Sequence, residues 1–474
     1  MRRREWWRAA LPLGTGTLIA VLPPPAGLDA EAWRYFALFA AVLVGLVLEP
    51  IPAAAIGLLG VTVATALGYG GDTPAESVRW GLGGFSDATV WLIFGAFMLS
   101  MGYERSGLGR RVALVLVRHL GRRTLGLGYA IALADLVLAP GMPSNTARSG
   151  GTIYPIVRSI PGLFDSQPGP TARRIGAYLM WTAFASTAVT SSLFMTALAP
   201  NLLAVALVKE TAGLDITWAQ WLVGALPAGA LLLALTPLLS FFLYPPEIRS
   251  SALAPSWAAE QLGEMGKISP RERTMAGLVL LALASWIFGG HVVSATTVVL
   301  VIISLMIVTR VVEWDEVLGN KTAWNMLVWF ATLVTLAGGL SEVGFVRWLA
   351  EAFSKHLIGC PVMAVLASLV AFFFLVHYMF ASLTAHTAAV LPVVLAIGIG
   401  VPGLPILPYS LLLCHSLGLM GVITPYATGP APVYYASGFV SRADFWRLGL
   451  TFGLVSLGVL LAIGIPYLTL LHRG

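Results

Sequence analysis

The stretch Pro140-Gly141-Met142-Pro143-Ser144-Asn145-Thr146-Ala147-Arg148 interrupts an apolar run that extends over 123–160. Pro143 has no N–H with which to extend an incoming helix, and Ser144 or Asn145 is a good N-cap for an outgoing one. The chain is therefore expected to enter an apolar layer as one helix, turn here, and leave as another. The outgoing helix would begin at depth, with its first N–H groups free and the positive end of its dipole exposed. Such an end receives a carboxylate or another small anion.

A second interrupted run, 360–400, carries Ser382-Leu383-Thr384-Ala385-His386 at its middle. The two tips share Ser-x-Thr-Ala followed by a residue that can carry positive charge, with Leu383 in the place of Asn145. No Pro or Gly immediately precedes the second tip, so its break is marked less sharply. Both runs read as helical hairpins that enter and leave on one side.

What surrounds the hairpins is a membrane protein. Of 474 residues, 58% are hydrophobic and 11% charged, against about 25% charged in soluble domains. Apolar runs near spanning length recur at 9–24, 31–49, 51–70, 84–104, 173–209, 217–244, 274–290, 293–311, 322–340, 405–436 and 442–472. About eleven crossings plus two re-entrant hairpins make an all-α polytopic fold with its termini on opposite faces. The 50 Gly and 29 Pro recur inside apolar stretches, where a membrane helix tolerates them only if protein or a wet cavity takes up the freed backbone groups.

Most of the 28 Lys and Arg fall on one set of connections, including Arg2, Arg3 and Arg4, Arg105 to Arg123, and Arg249 to Arg273. That bias places the N-terminus in the cytoplasm and accounts for the net charge of +6 without a nucleic-acid partner. No small-residue cleavage site follows the first apolar run, so a retained first helix is expected. Segment 107–122, with Arg110, Arg111, Arg118 and Arg122, reads as an amphipathic helix in the cytoplasmic interface. Segment 342–356, with Glu342, Arg347, Glu351 and Lys355, would lie at the opposite one.

The polar linker 245–273 divides the chain. The layout is an N-terminal helix over 1–30, a first repeat over 31–244, the cytoplasmic linker, and a second repeat over 274–474. Each repeat holds a crossing, an amphipathic helix, a hairpin and a Pro-broken helix. An odd number of crossings per half inverts one copy, which is the architecture of secondary transporters with a site at the midplane.

The first broken helix carries Thr190-Ser191-Ser192 and then Thr196, Pro200 and Asn201; the second carries Thr424-Pro425-Tyr426-Ala427-Thr428-Gly429-Pro430. Single Ser and Thr residues in membrane helices usually bond back to their own helix, but that does not explain the paired recurrence. Two tips and two breaks converging on one volume would be rich in hydroxyls and N–H groups without an acidic residue, which favours an anion.

Arg148 and His386 each follow their tip serine by four positions. An ionised side chain near the midplane costs at least ~2.5 kcal/mol and so faces a cavity or a partner, Asp135 being the alternative for Arg148. Both are read as charge-compensating groups. Asp135, His377 and His415 read as packing or supporting residues. Cys360 and Cys414 form no metal or disulfide pattern, and neither metal nor cofactor is expected. With no paired intramembrane carboxylates, HExxH, GxSxG or Cys/His nucleophile, the chain does not read as an enzyme.

The strings SNTARSGGTIYPI (Ser144 to Ile156) and ASLTAHTAAVLP (Ala381 to Pro392), with the Thr-Pro breaks after them, resemble the divalent anion/sodium symporter family. Within it they are most similar to the bacterial citrate/succinate and tartrate/succinate antiporters and to plastid 2-oxoglutarate/malate translocators. The resemblance covers nearly the whole chain. It implies an inner-membrane homodimer with scaffold and elevator-type transport domains. It also implies that Ser144, Asn145, Thr146, Ser382 and Thr384 contact small carboxylate anions or shape their site, with Thr196, Pro200, Thr424 and Pro425 alongside. Sodium-coupled members typically have Asn where this chain has Leu383. With Arg148 and His386 in the place of sodium, a sodium-independent exchange of di- or tricarboxylates is expected. Sodium-coupled symport is the alternative, and a membrane-embedded enzyme or an anion channel is remote.

Overall fold

The computed structural model describes residues 6–290, 292–357 and 359–472. The basic residues Arg2, Arg3 and Arg4 lie outside that range, as does the side chain of Lys355. The regular structure of the described residues is helical, apart from an isolated β-bridge between Arg123 and Ser250. Among the described residues, six helices are long and apolar enough to cross a bilayer, and four shorter apolar ones accompany them. This is an all-helical, multi-pass membrane fold.

Helix Ala88–Ser106 leads through Gly107 into the amphipathic helix Leu108–Leu120. The first hairpin follows, with Thr124–Leu138 as its incoming leg and Thr146–Ile153 running on into Tyr154–Ser159 as its outgoing leg. Then comes a broken helix, Gly176–Leu193 and Ala199–Ala212, with a tight turn at Met195–Ala197. The same order recurs later: Lys321–Glu342, the amphipathic Phe345–Leu357, a hairpin of Val362–Leu375 and Leu383–Ile399, and a broken helix opening with Ile406–Leu419.

Two details add to the sequence reading, and the break at the second tip follows it. The outgoing leg of the first hairpin starts as a π-helix over Thr146–Ile153. Pro155 removes an N–H that an α-helix would need there, and Gly150-Gly151 tolerates the wider turn. The second tip breaks without Pro or Gly: Ser382 takes an extended backbone (φ −144°, ψ 124°) and caps the next helix.

The linker is also not purely irregular, because 245–273 contains the helix Leu253–Met265. Its small residues Ala254 and Ala258 are fully buried, and it packs against the amphipathic helix Leu108–Leu120. Arg110 donates to Gln261 at 2.7 Å across this seam. Arg111 holds the Glu272 carboxylate with two bonds, of 2.6 and 3.2 Å.

The two broken helices cross backbone to backbone just before their breaks, and this contact positions the site. Ser192 donates to the His415 carbonyl at 2.5 Å, and Gly418 lies directly against the Ala188–Ser192 backbone. A methyl group on Gly418 would stand 2.4 Å from the Ser192 amide nitrogen and 2.8 Å from the Ala188 carbonyl oxygen. Both obstacles are main chain in a fully buried crossing, so neither yields cheaply. Overpacking of this kind costs about 1–3 kcal/mol. Gly418→Ala is accordingly expected to lower the melting temperature of the purified protein by several degrees; an unchanged melting curve would show that the helices separate freely at this point.

Candidate functional site

Each hairpin tip presents the start of a helix. Ser144 accepts the Ala147 amide at 3.2 Å and Ser382 the Ala385 amide at 3.3 Å, so both serines are N-caps. A capping hydroxyl accepts with its oxygen and keeps its own hydrogen to donate. The amides of the first turn, at Asn145 and Thr146 and at Leu383 and Thr384, have no intrahelical acceptor in such geometry. Each tip thus offers one O–H and two N–H groups at a positive helix end.

The tips meet around a cavity of about 270 Å³. The first tip contributes Pro143, Ser144, Asn145 and Thr146, and the second contributes Ala381, Ser382, Leu383 and Thr384. Leu198, Ala199 and Pro200 come from the first break, Thr428 and Gly429 from the second, and Phe97, Thr322 and Met326 close the remaining wall. None of these residues is acidic. A wider space of about 1030 Å³ shares Phe97, Ser144, Thr146 and Thr322 with it. This vestibule reaches Glu104, Arg105, Asp315 and Glu316, where Arg105 and Glu316 pair at 3.0 Å.

Six of the residues singled out from the sequence therefore line one cavity: Ser144, Asn145, Thr146, Pro200, Ser382 and Thr384. Three do not. Thr196 donates to the Pro140 carbonyl at 2.6 Å and receives the Trp218 indole N–H at 3.2 Å, tying the first break to the first tip from behind. Thr424 is buried and receives the Tyr426 amide at 3.3 Å, and Pro425 lies beside it in the second break.

Sequence reasoning passed over Thr428, although it lies within the quoted second break. Asn145 donates to its hydroxyl at 2.7 Å. The following Gly429 lets the second break dock on the first tip, since a methyl group there would stand 1.8 Å from the Thr146 hydroxyl. Thr322 and Met326 belong to an uninterrupted helix and carried no sequence signal.

The two expected cations differ in their surroundings. Arg148 is fully buried. Its Nη1 donates to the carbonyls of Met142 and Ala197, both at 2.7 Å, spanning the first tip and the first break. Its Nη2 reaches Ser191 at 2.9 Å, and its Nε pairs with Asp135 at 3.2 Å. Thr187 and Thr190 donate to the same Asp135 carboxylate. The charge of Arg148 is thus met by Asp135, the partner the sequence offered as the alternative to a cavity, and Asp135 takes a supporting role.

His386, expected from the sequence as a second charge-compensating group, does not line the cavity. Its ring lies among Phe373, His377 and Phe380, with centroids 4.5–5.0 Å away. Neither ring nitrogen has a hydrogen-bond partner among the described residues. The ring is held by contact with these aromatic neighbours. His377 is what reaches the second break, donating from Nε2 to the Ala427 carbonyl at 2.8 Å.

Comparison with known proteins agrees with this architecture. The family model described as the sodium:sulfate symporter transmembrane region matches residues 3–473. The chain is 46% identical to the citrate/succinate antiporter of Escherichia coli (strain K12), over 98% of each chain. It is 43% identical to the L-tartrate/succinate antiporter of the same strain, again over 98% of each. Among solved structures, the YdaH transporter of Alcanivorax borkumensis superposes with a TM-score of 0.58 at 17% identity, covering 88% of this chain and 97% of that one. The efflux pump MtrF of Neisseria gonorrhoeae gives 0.54 at 11% identity, covering 89% and 96%; at such identities these two speak for the fold alone. A match along almost the entire length, together with two such relatives, means that the chain belongs to the divalent anion/sodium symporter family, a family of membrane transporters rather than enzymes.

Proposed function

We propose that this protein exchanges di- and tricarboxylate anions of the succinate, malate and citrate class across the bacterial inner membrane, with its N-terminus in the cytoplasm. The observation that carries the reading is the small cavity walled by two helix N-termini and lined by no carboxylate. Two tips suit two carboxylate groups, one at each end of a short carbon chain. A helix N-terminus favours an anion by about 0.3–1 kcal/mol when exposed and up to ~2 kcal/mol when partly buried. The names of the two antiporters quoted above point to the same substrates.

Sodium independence has its own support. The Met142 and Ala197 carbonyls, at a tip and a break, are the kind of oxygens that ligate a cation. Here a guanidinium nitrogen already takes both. Because Asp135 balances that guanidinium, the empty site is not made immobile by a lone Arg charge. The penalty for moving unloaded comes instead from two helix N-termini left without an anion in a low-dielectric seam. Exchange is the consequence: one anion must return for each that crosses. Hairpins and broken helices would move together against Ala88–Ser106 and Lys321–Glu342, as an elevator within each protomer of a homodimer built from two inverted repeats.

Proteoliposomes preloaded with succinate test this directly. External labelled succinate, malate or citrate is expected to enter in sodium-free buffer, saturably, and only when internal anion is present. A strict requirement for sodium would convert the reading to symport, and ohmic anion conductance would convert it to a channel.

Arg148 can be separated from its partner. Arg148→Gln leaves Asp135 buried and unpaired, a loss of about 3–5 kcal/mol, and is expected to abolish exchange together with stability. The double variant Arg148→Gln with Asp135→Asn removes both charges and is expected to regain much of the melting temperature while exchange stays lost. Recovery of exchange in the double variant would reduce Arg148 to a neutraliser of Asp135.

A further inference from the structure

The wider vestibule beside the cavity carries charges that sit oddly on a path for anions. Glu104, Asp315 and Glu316 line it, and Arg105 is the one Lys or Arg among the described residues of its lining. A dianion crossing this space is repelled by three carboxylates and attracted by one guanidinium. The same space reaches Ser144 and Thr146 at the first tip. Along this path Arg105 is the lining group that offsets the repulsion before the helix ends are reached.

The guanidinium is held in a way that leaves it exchangeable. Arg105 stands in the last turn of Ala88–Ser106, and its Nε lies 3.0 Å from the Glu316 carboxylate. The two side chains are 55% and 27% exposed, and so open an ion pair is held weakly. The closest contact is through Nε, and neither Nη makes a hydrogen bond among the described residues. Glu316, for its part, does not depend on Arg105. Its carboxylate also accepts the Glu313 amide at 3.0 Å, within the capping of the helix Trp314–Gly319. It keeps that bond, and gains water, when the guanidinium turns away.

We propose that Arg105 is an outer binding site for a carboxylate: the incoming anion displaces Glu316 from the guanidinium before it passes on to the tips. A guanidinium fork takes a carboxylate in two parallel bonds, and the displaced Glu316 falls back on the Glu313 amide. Arg105 belongs to Ala88–Ser106, and Glu316 directly precedes Lys321–Glu342, the helices against which the tips would move. The outer site therefore serves only the face to which the vestibule opens, the cytoplasmic one in the orientation proposed above. The assignment rests on the carboxylate-exchange reading and adds to it a separate entry step on one side of the membrane.

Membrane vesicles loaded with succinate and sealed in either orientation test this through the KM for external labelled succinate. In inside-out vesicles Arg105→Gln is expected to raise that KM about threefold, the worth of one exposed charge contact. In right-side-out vesicles it is expected to leave KM unchanged. Glu316→Gln frees the guanidinium and keeps an acceptor for the Glu313 amide, so it is expected to lower KM in inside-out vesicles. That gain is expected to vanish once Arg105→Gln is added. Each variant is read alone if the other fails to reach the membrane. Opposite signs separate a contact with substrate from a brace between helices, whose loss would act alike from either end. Shifts of one sign, or none in inside-out vesicles, would overturn the outer site while exchange by the native chain stands. A native chain that exchanges no carboxylate would remove the exchange reading and the outer site together.

Discussion

A helix that breaks inside a bilayer exposes backbone groups that no water is at hand to satisfy, and every other feature of this site follows from how they are met. The protein treats the two kinds of group differently. Carbonyl ends are answered by its own side chains. Arg148 covers Met142 and Ala197, Asn201 covers Ser191 and Phe194, Thr196 covers Pro140, and His377 covers Ala427. The Ala199 amide also closes on the Pro143 carbonyl at 2.9 Å, joining tip and break. The N–H ends at the two tips are left at the cavity, where the proposed substrate anion would complete them. On that proposal, a cavity wall with no cationic residue would still favour negative charge.

The buried ion pair of Arg148 and Asp135 serves this arrangement. Replacing such a pair with apolar residues is often neutral or stabilising, so its presence is poor grounds for a stability role. Its geometry argues for positioning: five polar contacts from one guanidinium converge on a tip, a break and the Asp135 carboxylate. Thr187 and Thr190 orient Asp135 in turn. A point cation could hold two carbonyls together, but a guanidinium with its own counter-ion holds them without importing net charge. At the second tip a single histidine N–H does the corresponding work, and the His386 ring, without a hydrogen-bond partner among the described residues, fills space among aromatics.

Close backbone approach is the other means by which the site is held. Gly418 lets the broken helices cross, and Gly429 lets the second break rest on Thr146. Outside the membrane core, the linker helix Leu253–Met265 is clasped to Leu108–Leu120 through Arg110, while Arg111 ties that amphipathic helix to Glu272 and to the Gly266 carbonyl. The amphipathic helix is thereby bound both to the linker helix and to the first turn of the helix Pro270–Phe288.

The amino-acid sequence alone determined the membrane class, the hairpins, the broken helices and six residues of the cavity wall. Those features are written in local chemistry: hydropathy over a span, a Pro that ends a helix, a Ser that caps the next. It also revealed a motif common to the two tips, because two strings can be compared without knowing where they lie. What it could not carry was the partner of each polar group across long separations. Asp135 and Arg148 are neighbours only because one hairpin folds back on itself, and Asn145 meets Thr428 only because two distant segments dock. Whether a buried arginine is a free charge or a satisfied one, and whether a histidine faces a cavity or an aromatic wall, depends on what lies opposite. Only the tertiary structure decides that, because desolvation and hydrogen-bond completion are properties of a surrounding volume and not of a neighbouring residue in the chain.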